Sequence, residues 1–381
     1  MAMLALSLGG FGIGTTEFVA MGLLPEMSTG LGVGEPTAGH VVSAYALGVV
    51  VGAPTIAALT ARVPRRTLLV ALMVAFTVGN AASVFAPGYP ALMVARFVAG
   101  LPHGAYFGVA ALVAAHLAQP GRRAKAVATV MLGLSVANVI GVPVATWIGQ
   151  HLGWRAAFAL VAVVGVVTVF SLLRWIPPLD AMPTTNPITE LGALSRVQVW
   201  LTLVMGMVGF GGMFAVYAYI STTLTDVSGL ARSLVPLALM LYGLGMVAGN
   251  VVGGHLADRA LMPGLAASMA ALVVILAVFV VAVRTPVTAL LFVFLIGLAG
   301  SAMVPALQTR LMDVAADAQT LAAALNHAAL NIANAFGAWI GGVVIAAGFG
   351  YTAPAAVGAI LAAAGLLVLA VAVLTARNPV R

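Results

Sequence analysis

Two charged residues, Glu17 and Arg96, stand inside long apolar stretches of this 381-residue sequence. Glu17 lies within "GIGTTEFVAM", and Arg96 opens "RFVAG". A carboxylate in such surroundings can bind and release a proton, and a nearby guanidinium can stabilise its charged form. Placing a charge at the centre of a membrane helix costs at least about 2.5 kcal/mol, so both residues are functional candidates.

The depth of the two charges allows contact between them. Glu17 lies eight residues before Pro25, which is about 12 Å along a helix. Arg96 lies six residues after Pro90, which is about 9 Å by the same rise. If both prolines mark outer helix ends, the charges share the outer half of the membrane, and an ion pair is geometrically allowed.

The composition indicates which elements carry these residues. The chain is 63% hydrophobic and only 7% charged, with a mean hydropathy of +1.16, whereas soluble domains carry about 25% charged residues. Alternating ten-residue segments, typical of membrane barrels, are absent. The N-terminus lacks a basic region and a clear cleavage site, so it predicts a first membrane helix rather than a signal peptide. We therefore expect an all-α polytopic membrane protein.

The apolar runs predict twelve transmembrane helices, which we number as spans 1 to 12. They fall near residues 4–25, 38–60, 67–86, 90–116, 124–149, 154–176, 197–221, 233–256, 264–283, 287–312, 319–346 and 352–376. The segment 177–196 contains four prolines and predicts a cytoplasmic linker. We expect an N-terminal six-helix bundle over 1–176 and a C-terminal six-helix bundle over 197–381.

The distribution of basic residues predicts the orientation. With a cytoplasmic N-terminus, twelve lysines and arginines fall on inside connections or termini and three on outside ones, as the positive-inside rule requires. Both termini are then cytoplasmic. The net charge of +7 is explained by topology, so we expect no nucleic-acid partner. The absence of cysteine excludes disulfides and thiolate metal sites.

An internal repeat relates the two bundles. The stretch "YALGVVVGAPTIAALTAR" from Tyr45 aligns without a gap with "YGLGMVAGNVVGGHLADR" from Tyr242, at an offset of 197 residues. The same offset places Gly100 on Gly297, and an offset of 196 pairs "ANVIG" with "ANAFG". Parallel repeats of this kind hold a substrate cavity between the halves near the membrane midplane.

These motifs resemble those of the major facilitator superfamily. "GHLADR" is similar to its cytoplasmic loop motif, "RFVAG" to its fourth-helix arginine motif, and "GWRAAF" to the start of its sixth helix. "GTTEFVAMGLLPEM" and "ANVIGVP" resemble the twelve-helix drug:proton antiporters, and "GLPHGAYFGV" the arabinose-efflux and chloramphenicol-resistance types. The resemblance implies a multi-pass protein of the bacterial cytoplasmic membrane, working as a monomer by rocker-switch alternating access.

The resemblance also implies gating residues. These are Arg62, Gly141, Pro143, Gly254, Asp258 and Arg259. Two departures affect them: the first-half loop reads "ALTARVPRR", without the aspartate, and Val142 separates the glycine and proline of the fifth-helix motif. A solvated loop charge is the alternative role for Asp258 and Arg259.

Proton coupling is assigned to Glu17, Arg96 and His103. We expect Glu17 to alternate between a charged state near Arg96 and a protonated state when the cavity faces outside. The repeat places Phe214 and Val293 at the equivalent positions, so proton chemistry should be confined to the first half. The alternatives are a permanent ion pair that orients spans 1 and 4, and a packed histidine beside Pro102.

Polar and aromatic residues predict the substrate cavity. They are Phe18, Tyr106, Asn138, Phe214, Tyr217 and Asn334. The two repeat-related asparagines are candidates for binding a polar group, and the aromatic rings for binding an amphipathic molecule. Packing between helices, or against lipid, is the alternative role for each.

The sequence lacks the motifs that are typical of other function classes. The chain has no phosphate-binding P-loop for an ATP-driven pump, and no HExxH or GxSxG motif for an intramembrane enzyme. We expect no metal, no cofactor and no catalytic residue, only a small-molecule substrate, protons and lipid as partners. The prediction is a proton-coupled exporter of drug-like or other lipophilic molecules. A sugar or metabolite efflux permease, an uncoupled facilitator and a membrane receptor remain the alternatives.

Overall fold

The computed structural model is helical throughout the part of the chain it describes, with no strand among these residues, which are 1–60, 63–119, 123–179, 195–315 and 319–377. Helices are expected of such an apolar chain. In lipid, each backbone N–H and C=O group needs a partner within the protein, and an α-helix supplies all of these partners within one segment.

The first half provides six spans. Span 5 consists of two α-helices, Arg123–Val136 and Val142–Leu152, joined by a π-helical turn over Ala137–Gly141. A short helix, Leu24–Leu31, follows span 1 at the outer face. The other five spans are Ala2–Gly22, Glu35–Leu59, Arg65–Phe85, Tyr89–Leu117 and Trp154–Trp175.

The second half begins at Val197. Its spans 8 and 9 belong to one element, Val235–Ala282, whose backbone turns extended at Ala260 (φ −160°, ψ 92°). Three short helical turns precede span 8, at Ile220–Thr222, Thr223–Val227 and Arg232–Leu234. A π-helical turn follows span 11, at Ile345–Phe349. The remaining spans are Val197–Tyr217, Pro286–Ala315, Gln319–Val344 and Ala353–Arg377.

The span count agrees with the sequence prediction. Within the described ranges, eleven helices are long and apolar enough to cross a membrane. The break at Ala260 divides the 48-residue helix into two spans, which gives twelve. Residues 180–194 of the predicted linker lie outside the described residues, so the division into two bundles remains a prediction.

The repeat is visible in how the helices touch. Gly48 in span 2 lies so close to span 4 that a methyl group there would collide with the Phe97 carbonyl, and Gly245 meets Phe294 in the same way. Gly52 against Leu101 is likewise repeated by Gly249 against Leu298. Each pair is related by the offset of 197 found in the sequence. Spans 2 and 4 therefore cross as spans 8 and 10 do, through small residues that let backbones approach.

The two halves meet through spans 2 and 11 and through spans 5 and 8. The Ser43 hydroxyl donates to the Ala335 carbonyl at 2.9 Å. At the other contact, Gly243 lies against the backbone of Asn138 in the π-helical turn, with no room for a side chain. Near the outer face, Gly39 and Gly342 both lie against the hydroxyl of Tyr219. Tyr219 thereby joins the halves near the ends of spans 2, 7 and 11, at a place that we call the outer mouth.

Candidate functional site

Arg96 lies at the centre of a polar network in the first half. Its side chain is fully buried, at 0% exposure. Its guanidinium donates to the hydroxyl of Thr16 at 2.8 Å and to the Thr16 carbonyl at 2.9 Å. The Thr16 hydroxyl donates in turn to Oδ1 of Asn80 at 2.5 Å. Spans 1, 3 and 4 are thereby joined by one chain of hydrogen bonds.

Two aromatic rings flank the same guanidinium. Its central carbon lies 4.4 Å from the ring centroid of Tyr45 and 4.9 Å from that of Phe158. A cation over an aromatic face is attracted by the ring quadrupole, by about 2 kcal/mol when the pair is desolvated. Hydrogen bonds and rings together accommodate the buried charge without a carboxylate in contact with it.

Glu17 does not form an ion pair with Arg96. In the part of the chain that the structure describes, the ion pair present joins Arg232 and Glu26, 2.8 Å apart. Glu17 follows Thr16 directly in span 1 and points elsewhere, because neighbouring residues on a helix face different directions. The two charges still interact through space. The structure therefore brings them near one another without joining them.

The surroundings of Glu17 come from both halves. The carboxylate is 7% exposed, and the amide of Asn334 in span 11 lies beside it. Neither Nδ2 nor Oδ1 of Asn334 completes a hydrogen bond. Tyr242 of span 8 also lies within electrostatic range, and its buried hydroxyl has no hydrogen-bond partner either. A carboxylate of the first half thus lies beside an amide of the second half and within electrostatic range of a second-half hydroxyl.

Three predicted cavity residues come together beside Glu17. Phe18 stacks on Phe214, with ring centroids 6.2 Å apart, and meets Tyr217 edge-on at 5.9 Å. Tyr217 stacks on Tyr242 at 3.8 Å. All four rings are buried. They form an aromatic cluster between spans 1, 7 and 8.

The other predicted residues of the first half are not members of this cluster. Tyr106 donates its hydroxyl to the Leu6 carbonyl at 2.9 Å, within the core of the first half. His103 is buried, with its Nδ1 3.1 Å from the Tyr45 hydroxyl. Asn138 donates to the Leu134 carbonyl of its own helix at 3.0 Å, while its Oδ1 is buried without a partner.

The predicted gating residues divide into two groups. Gly141 and Pro143 flank the end of the π-helical turn, and Gly141 lies against Thr15 of span 1 with no room for a side chain. Asp258 and Arg259 are exposed near the break at Ala260, and Gly254 has open space beside it. Arg62 lies outside the described residues.

Several residues of the site escaped the sequence prediction. Thr16 and Asn80 are neutral and could not be distinguished from other hydroxyls and amides in the spans. Tyr45 and Tyr242 carried a usable signal, since the repeat aligns them with one another. Two aligned tyrosines in otherwise aliphatic helices mark positions that face the polar interior.

Comparison with known proteins identifies the family. The sequence profile of the Major Facilitator Superfamily matches residues 6–318 and 229–381. The inner membrane transport protein YdhP of Escherichia coli K12 is 42% identical over 367 residues, covering 96% of this chain and 94% of that protein. The chloramphenicol resistance protein of Streptomyces lividans is 34% identical over 360 residues, covering 93% and 92%.

The fold is shared with solved transporters. A crystal structure of a D-xylose-proton symporter superimposes with a TM-score of 0.78 at 16% identity, covering 96% of both chains. A nucleoside transporter gives 0.76 at 12% identity, covering 98% of this chain and 100% of that one. The chain therefore belongs to the Major Facilitator Superfamily, which comprises transporters rather than enzymes. It is a multi-pass membrane protein of the bacterial inner membrane.

Proposed function

We propose that this member of the major facilitator superfamily is a proton-coupled exporter of small lipophilic molecules. The observation that carries the proposal is the position of Glu17. Its buried carboxylate lies where the two halves meet, beside the amide of Asn334 and within electrostatic range of Arg96. A carboxylate placed there changes its surroundings whenever the halves move.

The mechanism follows from that position. Charged Glu17 is stabilised by Arg96 and can accept hydrogen bonds from Asn334 or from a bound substrate. When the halves rock so that the cavity opens outside, the contacts from the second half are withdrawn and a proton from the acidic side replaces them. When the cavity opens inside, a substrate and the returning Asn334 displace the proton. Proton entry is thereby linked to substrate exit.

The bundles over 1–176 and 197–381 act as the two rocking bodies in this proposal, and the linker over 177–196 lets them move. The polar network of Thr16, Asn80 and Arg96 keeps the first bundle rigid around its charge. One chain contains both bodies, so a monomer is sufficient for transport.

The chemistry of the cavity favours a neutral cargo with an aromatic or apolar body. The rings of Phe18, Phe214 and Tyr217 are buried against one another here, and separation of the halves would turn them into an apolar wall with the polar atoms of Asn334 and Tyr242 nearby. Pockets of this composition bind apolar molecules and orient them by few polar groups. The relative named a chloramphenicol resistance protein supports a drug of that kind as the first cargo to test. A sugar is the alternative.

The test compares purified wild type with Glu17→Gln in liposomes. With an imposed proton gradient, wild type should accumulate labelled chloramphenicol against its concentration gradient, and E17Q should only equilibrate it. Asp313→Asn is the matched control, because Asp313 is an exposed carboxylate in span 10. Gradient-driven accumulation by E17Q at the wild-type level would refute the coupling role.

A panel of other lipophilic drugs and sugars in the same liposomes separates the cargo classes. If wild type equilibrates a compound without responding to the gradient, the protein is an uncoupled facilitator for that compound. Binding without any flux would favour a receptor.

A further inference from the structure

A carboxylate at the outer mouth joins the two halves. Glu35 is the first residue of span 2, and its Oε2 accepts hydrogen bonds from two hydroxyls of the second half. Thr222, just after span 7, donates at 2.6 Å. Tyr351, just before span 12, donates at 3.2 Å. One carboxylate oxygen of the first half thus accepts hydrogen bonds from two separate segments of the second half.

A second polar contact lies beside it. Glu26, in the short helix after span 1, is the acceptor for Nε and Nη2 of Arg232 at 3.1 and 2.8 Å. Arg232 is 59% exposed and Glu26 is 10% exposed. An exposed ion pair is weak and screened by salt. The bonds to Glu35 are part-buried, so water and salt weaken them less than they weaken this ion pair.

Opening the cavity to the outside must break the bonds to Glu35. The donors sit in the second half and the acceptor in the first, so the rocking motion separates them. Hydrogen bonds to a charged carboxylate are roughly twice as strong as those between neutral groups. Protonation of Glu35 would remove that advantage from both bonds at once.

The groups around Glu35 do not compensate its charge. Asp226 and Glu26 lie close enough to repel it, and the hydroxyls of Tyr219 and Tyr351 are also within electrostatic range. Arg232 donates to Glu26 rather than to Glu35. Burial, together with the Glu35 carboxylate, raises the pKa of Tyr351 well above its usual range, so its hydroxyl remains a donor at neutral and acidic pH. Among these groups, Glu35 is therefore the one whose charge controls the contact.

We propose that Glu35 is a positioning residue of the transport cycle, which holds the outer mouth closed while charged and releases it when a proton arrives from outside. The inference rests on the proposed function for the direction of the proton gradient. It adds a second protonation event, at the mouth, to the one at Glu17. Acid outside would then both open the pathway and supply the coupled proton.

The chain offers a clean test, because it has no native cysteine. Spin labels on Thr29→Cys and Ser233→Cys, two exposed positions on opposite sides of the mouth, report its opening as a distance. In wild type, lowering the pH from about 7.5 to about 5.5 should raise the long-distance population about tenfold, since protonation removes the preference for the closed state. In Glu35→Gln, the long distance should dominate at both pH values.

Two further variants keep the test specific. Glu26→Gln should keep the pH response of wild type, because its ion pair is not the controlling contact. Tyr351→Phe removes one donor while keeping the carboxylate, so it should raise the open population at neutral pH and still respond to acid. A wild-type response in E35Q, or a response lost in E26Q alone, would overturn the proposal.

The failure of this inference can be told apart from failure of the proposed function. Glu17→Gln with the same labels should retain the pH response of the mouth. If E17Q uncouples transport while E35Q leaves the mouth unchanged, only the role of Glu35 is wrong. If E17Q transports like wild type, the coupling proposal fails whatever the labels show.

Discussion

Tyr45 and Tyr242 occupy the same place in the two halves and have opposite surroundings. In the first half, the Tyr45 hydroxyl lies 3.1 Å from Nδ1 of His103, and the ring lies under the Arg96 guanidinium. In the second half, the Tyr242 ring stacks on Tyr217 and its buried hydroxyl has no partner. The helix crossings around them are nevertheless the same, as the glycine contacts show.

The substitutions between the halves explain the difference. At the offset of 197, Met213 stands in place of Thr16, Phe214 in place of Glu17, and Val293 in place of Arg96. The hydroxyl, the carboxylate and the guanidinium of the first half have all become apolar side chains in the second, all of them buried. The duplicated framework thus carries charge in one half and an aromatic surface in the other. We infer that the division of labour between proton and cargo follows this difference.

Substitution of Arg96 should give the largest effect on the difference between the two halves. Arg96→Val gives the first half the residue found in the second, removing two charge-assisted hydrogen bonds of about 1.5–3 kcal/mol each. We expect gradient-driven transport to be lost and the free energy of unfolding to fall by about 3 kcal/mol. Arg96→Lys keeps the charge, so it should retain part of the transport and part of the stability. Lysine cannot reproduce the two parallel hydrogen bonds that the guanidinium donates. Transport in liposomes and denaturant unfolding in detergent check this pair.

If the valine variant remained coupled, the charge of Arg96 would have no role in transport. Full wild-type stability in the same variant would show that the network around Thr16 does not depend on it.

Thr16 gives a smaller effect of the same kind. Thr16→Val leaves Asn80 and Arg96 each without one partner, and we expect a loss of about 1–3 kcal/mol in the free energy of unfolding. Thr202→Val is the matched control in the second half, because its hydroxyl donates to the Gln198 carbonyl of its own helix, at 2.8 Å, rather than to another span. That change should cost less than about 1 kcal/mol. Equal losses for the two threonines would mean that the network adds nothing beyond a local hydrogen bond.

Substitution of Tyr45 or Tyr242 by Phe should have the smallest effect on stability, and the two substitutions should differ in sign or size. Tyr45→Phe leaves Nδ1 of His103 without a partner in the core, and should cost about 1 kcal/mol of stability. Tyr242→Phe removes a hydroxyl that has no partner, so stability should stay unchanged or rise. Thermal unfolding of both variants in the same detergent measures the difference. A larger loss for Tyr242 would show that its hydroxyl is bonded in the working protein.

Most of the fold could be predicted from the sequence, because lipid imposes simple rules. The apolar runs predicted the spans, the bias of arginines predicted their orientation, and the aligned motifs predicted that the two halves repeat one another. The two helices predicted for spans 8 and 9 are present and meet directly at the kink at Ala260, within the element Val235–Ala282. The polar residues around Asp258 indicated a loop, but helical hydrogen bonding runs through them up to the break at Ala260.

The site could be predicted only in part. Charge made Glu17 and Arg96 visible, and their depths along the helices were compatible with contact. Depth does not fix the rotation of a helix about its axis, however, and rotation places Thr16 rather than Glu17 against Arg96. Glu35 was overlooked because a carboxylate at a helix start near polar loops is usually solvated. Only tertiary packing brings Thr222 and Tyr351 to it.

The central claim is that Glu17 takes up the coupled proton, and infrared difference spectroscopy tests it without knowledge of the cargo. The protein in lipid is titrated from neutral to acidic pH, and the carbonyl band of newly protonated carboxylic acids is recorded. Wild type and Asp313→Asn should both show a band that is missing from Glu17→Gln. A band of unchanged position and size in Glu17→Gln would contradict the account.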